Sequence, residues 1–133
     1  MLVFLDYLYT FIHLLIIFFN VFGWVVPAWR KIHLVVLLIT LISWLGIGAW
    51  VGHIGYCPLT DWHWDVKREL GEANLPASFI KYQVDQIFDV DSDRNFIDLI
   101  TVLGLVFGFS MAIFFRLKRV LPVKRVHSRH REN

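Results

Sequence analysis

Three long apolar stretches divide the chain. Residues 7–26 and 33–52 contain no Asp, Glu, Lys or Arg, and residues 96–115 contain only Asp98 among these charged types. Twenty residues of α-helix rise about 30 Å, which matches the thickness of the hydrocarbon core of a bilayer. The pattern therefore predicts three transmembrane helices.

The segment between the second and third apolar stretches, residues 53–94, has a mixed and acidic pattern. Thr60 or Asp61 can cap a short helix that stops at Gly71. A second short helix is predicted to begin near Pro76, with its apolar residues gathered on one side. We expect these amphipathic helices to cover one end of the bundle as a cap.

Basic residues mark the other end. Arg30 and Lys31 lie in the short turn between the first two spans, and residues 117–133 form a strongly basic tail. The positive-inside rule assigns both segments to the cytoplasm. Because a short turn makes the first two spans antiparallel, a three-span topology brings both segments to one side. The N-terminus and the cap are then extracytoplasmic.

Composition supports this fold class. Hydrophobic residues make up 57% of the 133 residues, which is too apolar for a soluble domain. The N-terminus lacks a basic start and a small-residue cleavage site, so it is expected to be a retained span. The expected fold is an all-α integral membrane bundle in residues 1–116, followed by the basic cytoplasmic tail.

Polar and small residues form stripes on the predicted spans. Asp6, Thr10, His13 and Asn20 share one side of the first helix. Small residues four apart let helix backbones approach, which predicts helix packing at Gly48, Gly52, Gly104 and Gly108. A polar pathway or ligand slot along these stripes is the alternative, because ionisable groups inside a membrane often serve function.

Two intramembrane histidines raise the question of a cofactor. His13 lies near the middle of the first span and His33 at the start of the second, so antiparallel packing places His13 opposite Ser43 and Trp44. That depth difference disfavours a haem held by both histidines. A haem or quinone-like cofactor that uses His13 stays open, and no cofactor is identified.

A further polar group is expected at the outer end. Asp6, His53, His63 and Asp98 can converge there, either as hydrogen bonds or as a zinc shell. Because no HxxxH or CxxC spacing supports zinc, we predict no metal site. The lone Cys57 has no activating neighbour in sequence, and no catalytic set is recognisable. We therefore predict no catalytic residues and no enzyme.

One motif carries a family resemblance. Cys57, Pro58, Leu59 and Thr60 form a CPLT tetrapeptide, which is followed by Gly71–Ala73 and Phe79–Ile80. With His13 and Ile32–Leu34, the chain up to about residue 110 resembles a family of small bacterial inner-membrane proteins classed as a domain of unknown function. His63–Trp64 and Tyr82–Gln83 depart from the family pattern. The resemblance implies a membrane protein of three or four helices with an ordered outer cap, and no activity.

These observations favour a non-enzymatic accessory or scaffold subunit of a larger assembly in the bacterial inner (plasma) membrane. The expected partners are the lipid bilayer, other membrane-protein subunits, and anionic lipid headgroups at the basic tail. Nucleic acid is not expected, because the tail lies beside the membrane. The alternative function is a haem- or quinone-like cofactor-binding membrane protein.

Overall fold

The computed structural model describes residues 1–120, and this part of the chain is helical without any strand. Its elements are α1 (Leu2–Phe22), a 3-10 turn (Pro27–Trp29), α2 (Arg30–Leu41), a π-helical segment (Ile42–Ile47), α3 (Gly48–Val51), α4 (Pro58–Glu69), α5 (Phe79–Phe88) and α6 (Arg94–Val120). Most of the predicted tail, residues 121–133, lies outside the described residues.

Three helical stretches are long and apolar enough to cross a membrane: Leu2–Phe22, Pro27–Val51 and Arg94–Val120. The prediction of an all-helical fold with three such helices is confirmed. The bounds differ from those predicted. The first helix begins earlier than predicted, at Leu2. It also ends earlier, at Phe22, because the chain leaves the helix at Gly23 and a 3-10 turn starts at Pro27.

α1, α2 and α6 pack around a small core. Leu37, Leu105 and Ala112 are its buried members, and partly buried side chains surround them: Leu34, Leu41, Trp44 and Phe109. Gly108 lies against α1 so closely that an added Cβ would be 2.2 Å from the Asn20 carbonyl oxygen. A Cβ on Gly104 would be in ordinary contact, 3.7 Å from Val21 Cγ2.

Gly48 and Gly52, predicted to pack helices, lie at the turn that follows α3. A Cβ on Gly48 would meet the His53 carbonyl oxygen at 2.8 Å, in the turn that follows α3. Gly52 ends α3 with a φ of 77°, and no atom lies within 4 Å of a Cβ built there. A left-handed residue at this position reverses the chain, which glycine does without a Cβ penalty.

The chain then folds back along the second span. The Gly55 N–H donates to the Trp44 carbonyl at 3.2 Å, and the Ser43 hydroxyl donates to the Tyr56 carbonyl at 3.0 Å. Ser43 and Trp44 belong to the π-helical segment, where the altered bonding pattern accompanies these contacts with the returning chain. α4 therefore begins beside the middle of the spans instead of beyond their ends.

The two short helices have clear boundaries. α4 begins at Pro58, which tolerates the first helical position, and it is followed by Gly71 at a φ of 92°, the predicted stop. α5 begins at Phe79, where the Ser78 hydroxyl accepts from the Lys81 N–H. The helix begins later than the predicted start near Pro76, because Ser78 is extended and caps the helix at Phe79; the Pro76 carbonyl accepts the indole N–H of Trp64 in the connecting segment.

Candidate functional site

Polar side chains of α1 contact the rest of the protein at three levels along the helix axis. We call these groups the N-terminal, middle and C-terminal clusters, after their places along α1. The N-terminal cluster contains Asp6, His63, Lys67, Glu72 and Tyr82. The middle cluster contains His13, Cys57, Thr60 and Phe79, and the C-terminal cluster contains Asn20, His33 and Thr40.

The N-terminal cluster joins α1, α4 and α5 through one buried cation. Lys67 is 4% exposed, and its Nζ lies 3.0 Å from Asp6 Oδ1 and 2.9 Å from Glu72 Oε1. The Tyr82 hydroxyl donates to Glu72 Oε2 at 2.6 Å. His63, four residues before Lys67 on α4, places Nε2 2.6 Å from Asp6 Oδ1. The one-turn spacing of His63 and Lys67 brings both onto the face that meets α1.

The partners of Lys67 determine the direction in which its pKa shifts. Burial acts to lower the pKa of the ammonium, but hydrogen bonds to Tyr82, Glu72 and Asp6 outweigh burial and raise it. Burial acts to raise the pKa of Glu72, but the bonds from Tyr82 and Lys67 lower it overall. Burial lowers the pKa of His63 more than its bond to Asp6 raises it. The cluster thus holds a charged Lys67 between carboxylates beside a neutral imidazole.

The middle cluster is built where the start of α4 meets the middle of α1. His13 is 6% exposed, and its Nε2 lies 3.6 Å from Cys57 Sγ and 3.4 Å from Thr60 Oγ1. The Phe79 ring stacks on the imidazole, with 4.0 Å between ring centroids. His13 Nδ1 is buried without a hydrogen-bond partner. The arrangement places a thiol and a hydroxyl at one nitrogen of an oriented imidazole.

The contact between His13 and Cys57 was missed by the sequence reasoning, which treated Cys57 as a thiol without an activating neighbour. The two residues are 44 positions apart, and the chain reversal after Gly52 brings them together. The CPLT motif held a partial signal, because Cys57 and Thr60 are three residues apart and so share the first turn of a helix. Nothing in the pattern indicated which helix that turn would face.

The predicted group of Asp6, His53, His63 and Asp98 is only partly assembled. Asp6 and His63 are in contact, whereas His53 is exposed on the turn after α3, and Asp98 pairs with Arg94 at 3.5 Å on α6. Within residues 1–120, no three His, Cys, Asp or Glu side chains are placed to hold a metal ion. The four residues therefore do not converge as one group.

The C-terminal cluster fastens the spans to one another. His33 is fully buried, with Nε2 3.1 Å from the Asn20 carbonyl oxygen. The Asn20 amide donates to Thr40 Oγ1 at 3.0 Å, and the Thr40 hydroxyl donates to the Val36 carbonyl. His33 and His13 thus belong to separate clusters. These contacts link the helices through polar groups, which is the common use of such residues in membranes, although Asn20 Oδ1 and His33 Nδ1 have no partner within residues 1–120.

The family of the chain is recognised by sequence comparison. A family described as "Protein of Unknown function (DUF2784)" matches residues 3–116. No curated protein and no solved structure matches the chain. The expected resemblance to a family of unknown function is confirmed, and the comparison supplies no activity for the clusters.

Proposed function

Because the chain belongs to the DUF2784 family, whose function is unknown, we propose from the structure alone that it is a non-enzymatic accessory or scaffold subunit of a larger inner-membrane assembly. The observation that carries this proposal is a set of exposed apolar side chains on the short helices. Trp62 is 58% exposed on α4, and Ile87 and Phe88 are 70% and 69% exposed at the end of α5. Exposed aromatic and aliphatic groups on short amphipathic helices suit a protein contact.

The N-terminal cluster holds α4 and α5 in place against α1. Lys67 binds Asp6 of α1 and Glu72 of the connecting segment, and Tyr82 of α5 completes the group. Lys67 is buried, and leaving its charge without these carboxylates is costly, so the group resists separation of its members. A surface held in place in this way loses little conformational entropy when a partner binds.

We further propose that the N-terminus is extracytoplasmic and that the segment 53–94 enters the bundle from that side. The opposite end carries Arg30, whose guanidinium lies 3.8 Å from the Phe115 ring centroid, and Lys118, over the Phe114 ring. Cations at this end agree with the positive-inside rule. Anionic lipid headgroups are proposed partners here, at about 1 kcal/mol per well-placed cation.

The cofactor alternative receives less support from the geometry. The Phe79 ring covers one face of His13, and Nε2 already points at Cys57 and Thr60. A haem iron at Nε2 would have to displace these neighbours. An apolar groove of about 390 Å³ does exist, but its lining does not include His13: Phe18, Phe19, Phe22, Gly23, Val25, Val26 and Trp29.

The test of the proposal is gentle detergent extraction of the chromosomally tagged protein, followed by native mass and visible spectrum on one sample. We expect a colourless particle much larger than one chain. Trp62→Ala and Phe88→Ala should reduce the fraction in that particle, whereas Leu103→Ala, at an exposed position of α6, should not. A lone monomer at native expression contradicts the subunit proposal, and a visible absorption band would favour the cofactor alternative.

Topology is tested with a membrane-impermeant thiol reagent in a Cys57→Ser background. Glu69→Cys places a thiol at an exposed position of α4, and Lys118→Cys places one in the last turn of α6. We expect Glu69→Cys to be labelled in intact cells and Lys118→Cys only after the inner face is opened. The reverse pattern would overturn the proposed orientation.

A further inference from the structure

The side of α6 that packs into the bundle continues beyond the first two spans with two arginines. Ala112 on this side belongs to the core, and Phe115 stacks on Trp24 of the turn between the first two spans, with 5.7 Å between ring centroids. Arg116 and Arg119 follow Ala112 by four and seven residues, so the helical period places them on the same side as Ala112. α6 extends five residues, about 7.5 Å, past Phe115. The bundle-facing side of α6 therefore ends in positive charge.

A third arginine meets the same side of α6 from the start of α2. Arg30 Nε donates to the Trp24 carbonyl at 2.9 Å, and Arg30 Cζ lies 3.8 Å from the Phe115 ring centroid. These contacts fix the position of the guanidinium and do not use its two terminal nitrogens. Because a guanidinium donates from two nitrogens to two oxygens of one phosphate or carboxylate, Arg30 is oriented in advance for an anion.

The three arginines have no carboxylate partner within residues 1–120. Residues 7–60 and 99–120 contain no Asp or Glu. Asp98, the acidic residue of α6, lies 18 residues before Arg116, which is about 27 Å along the helix. None of the ion pairs in this part of the chain includes Arg30, Arg116 or Arg119. Positive charges gathered at one end of a bundle repel one another, so an anion bound among them is stabilising.

The level of the arginines along the bundle indicates which anion they bind. Trp24 and Trp29 belong to the turn that Arg30 follows, and indole rings are typical of the boundary between hydrocarbon and water. Phospholipid phosphates are the abundant anions at that boundary. We propose that Arg30, Arg116 and Arg119 together bind the phosphate of an anionic phospholipid. This inference rests on the lipid contacts proposed above for the basic end, and it narrows them to one side of α6.

The experiment measures lipid binding to the full-length protein in mixed detergent and lipid micelles by native mass spectrometry. The probes are phosphatidylglycerol and phosphatidylcholine, whose ammonium group offsets its own phosphate charge. We expect the first phosphatidylglycerol to bind about 10-fold more tightly than phosphatidylcholine, because the arginines meet an unbalanced negative charge. Glycerol phosphate carries the phosphate without acyl chains, and at equal concentration it should not displace the bound lipid.

Variants separate a site made by arginines from a general attraction to basic charge. Arg116→Gln and Arg119→Gln should each weaken phosphatidylglycerol binding about 10-fold more than Lys118→Gln does. Lys118→Gln is the matched control, because it removes one charge from the same end of α6, whereas Lys118 lies over the Phe114 ring on another side of the helix. Arg119→Lys should also weaken binding, since lysine keeps the charge but cannot make two parallel bonds to one phosphate.

Equal effects of Arg116→Gln, Arg119→Gln and Lys118→Gln would overturn the arginine site, while the proposed headgroup contact of the basic end would stand. Equal affinity for the two lipids would overturn both. Displacement by glycerol phosphate would show that the arginines take a phosphate from water and would overturn the lipid assignment. The subunit proposal is tested separately by the mass of the native particle.

Discussion

Gly108 of α6 and Asn20 of α1 are in direct backbone proximity, since a Cβ at position 108 would lie 2.2 Å from the Asn20 carbonyl oxygen. The same oxygen lies 3.1 Å from Nε2 of His33 on α2. One carbonyl therefore marks the point where all three spans meet. Any displacement of this carbonyl affects the packing of α6 and the hydrogen bond of α2 together.

Gly108→Ala is expected to destabilise the bundle by about 1 to 3 kcal/mol, because the added methyl group forces α6 away from α1. The matched control is Gly104→Ala, whose Cβ would be 3.7 Å from Val21 Cγ2 in ordinary contact. Denaturant unfolding of the detergent-solubilised variants measures the difference. Equal stability of the two variants would show that α6 adjusts freely at this contact.

Lys67→Met is expected to lower the free energy of unfolding by about 1 to 3 kcal/mol, because the partly exposed carboxylates of Asp6 and Glu72 lose their shared cation. Arg68→Met is the control. Arg68 pairs with Asp65 on the exposed side of α4, where an ion pair contributes about 0 to 1 kcal/mol. The same unfolding measurement applies, and a Lys67→Met protein as stable as Arg68→Met contradicts the role given to the N-terminal cluster.

The contacts of Asp85 with Lys81 and Ser92, between α5 and α6, should contribute less stability in acid. Hydrogen bonds from Lys81 and then Ser92 lower the pKa of Asp85 from 3.8 to about 2. Because the pKa is lower in the folded state, this stabilisation is fully present above pH 3.8 and is lost as the pH falls from 3.8 through about 2. Unfolding midpoints measured between pH 5 and pH 2 should therefore fall.

Asp85→Asn should reduce that acid-dependent fall, since the variant has no carboxyl group to titrate at this site. Asp65→Asn removes a carboxyl from an exposed pair and should leave the slope close to that of the natural protein. An unchanged slope in Asp85→Asn would mean that the contacts with Lys81 and Ser92 do not couple to folding.

Asp89→Gly is expected to stabilise the protein by about 1 kcal/mol, because Asp89 ends α5 with a φ of 51°, in the left-handed region. Gln86→Gly, at an exposed position within α5, should instead cost about 1 kcal/mol through lost helix propensity. Thermal unfolding of both variants supplies the comparison. A loss of stability in Asp89→Gly would mean that the Asp89 side chain contributes more than its backbone strain costs.

The three apolar helices could be predicted from sequence because membrane length and hydropathy are local properties. The ends of the helices were less predictable, since they depend on contacts. The proline pattern predicts a helix start near Pro76, but Ser78 is extended and caps the helix, so α5 begins at Phe79. Gly71 was predicted correctly as a stop because its left-handed conformation is a local preference.

The clusters were only partly predictable, for a physical reason. The polar side of α1 was visible from helical periodicity, but the partners of Asp6 and His13 come from α4, which returns along the bundle after Gly52. The spacing of two glycines four residues apart does not distinguish a helix-packing contact from a chain reversal. Gly52 reverses the chain and Gly48 leaves room for the returning turn, and that reversal decides which residues meet.

The return of α4 along α1 also sets the order of events during synthesis. His63 leaves the ribosome 57 residues after Asp6, a delay of about 3 to 11 s at ordinary translation rates. During that interval the first span is in place while its carboxylate and imidazole have no partners. The contacts of Asp6 and His13 with α4 therefore form only after the first two spans have been synthesised.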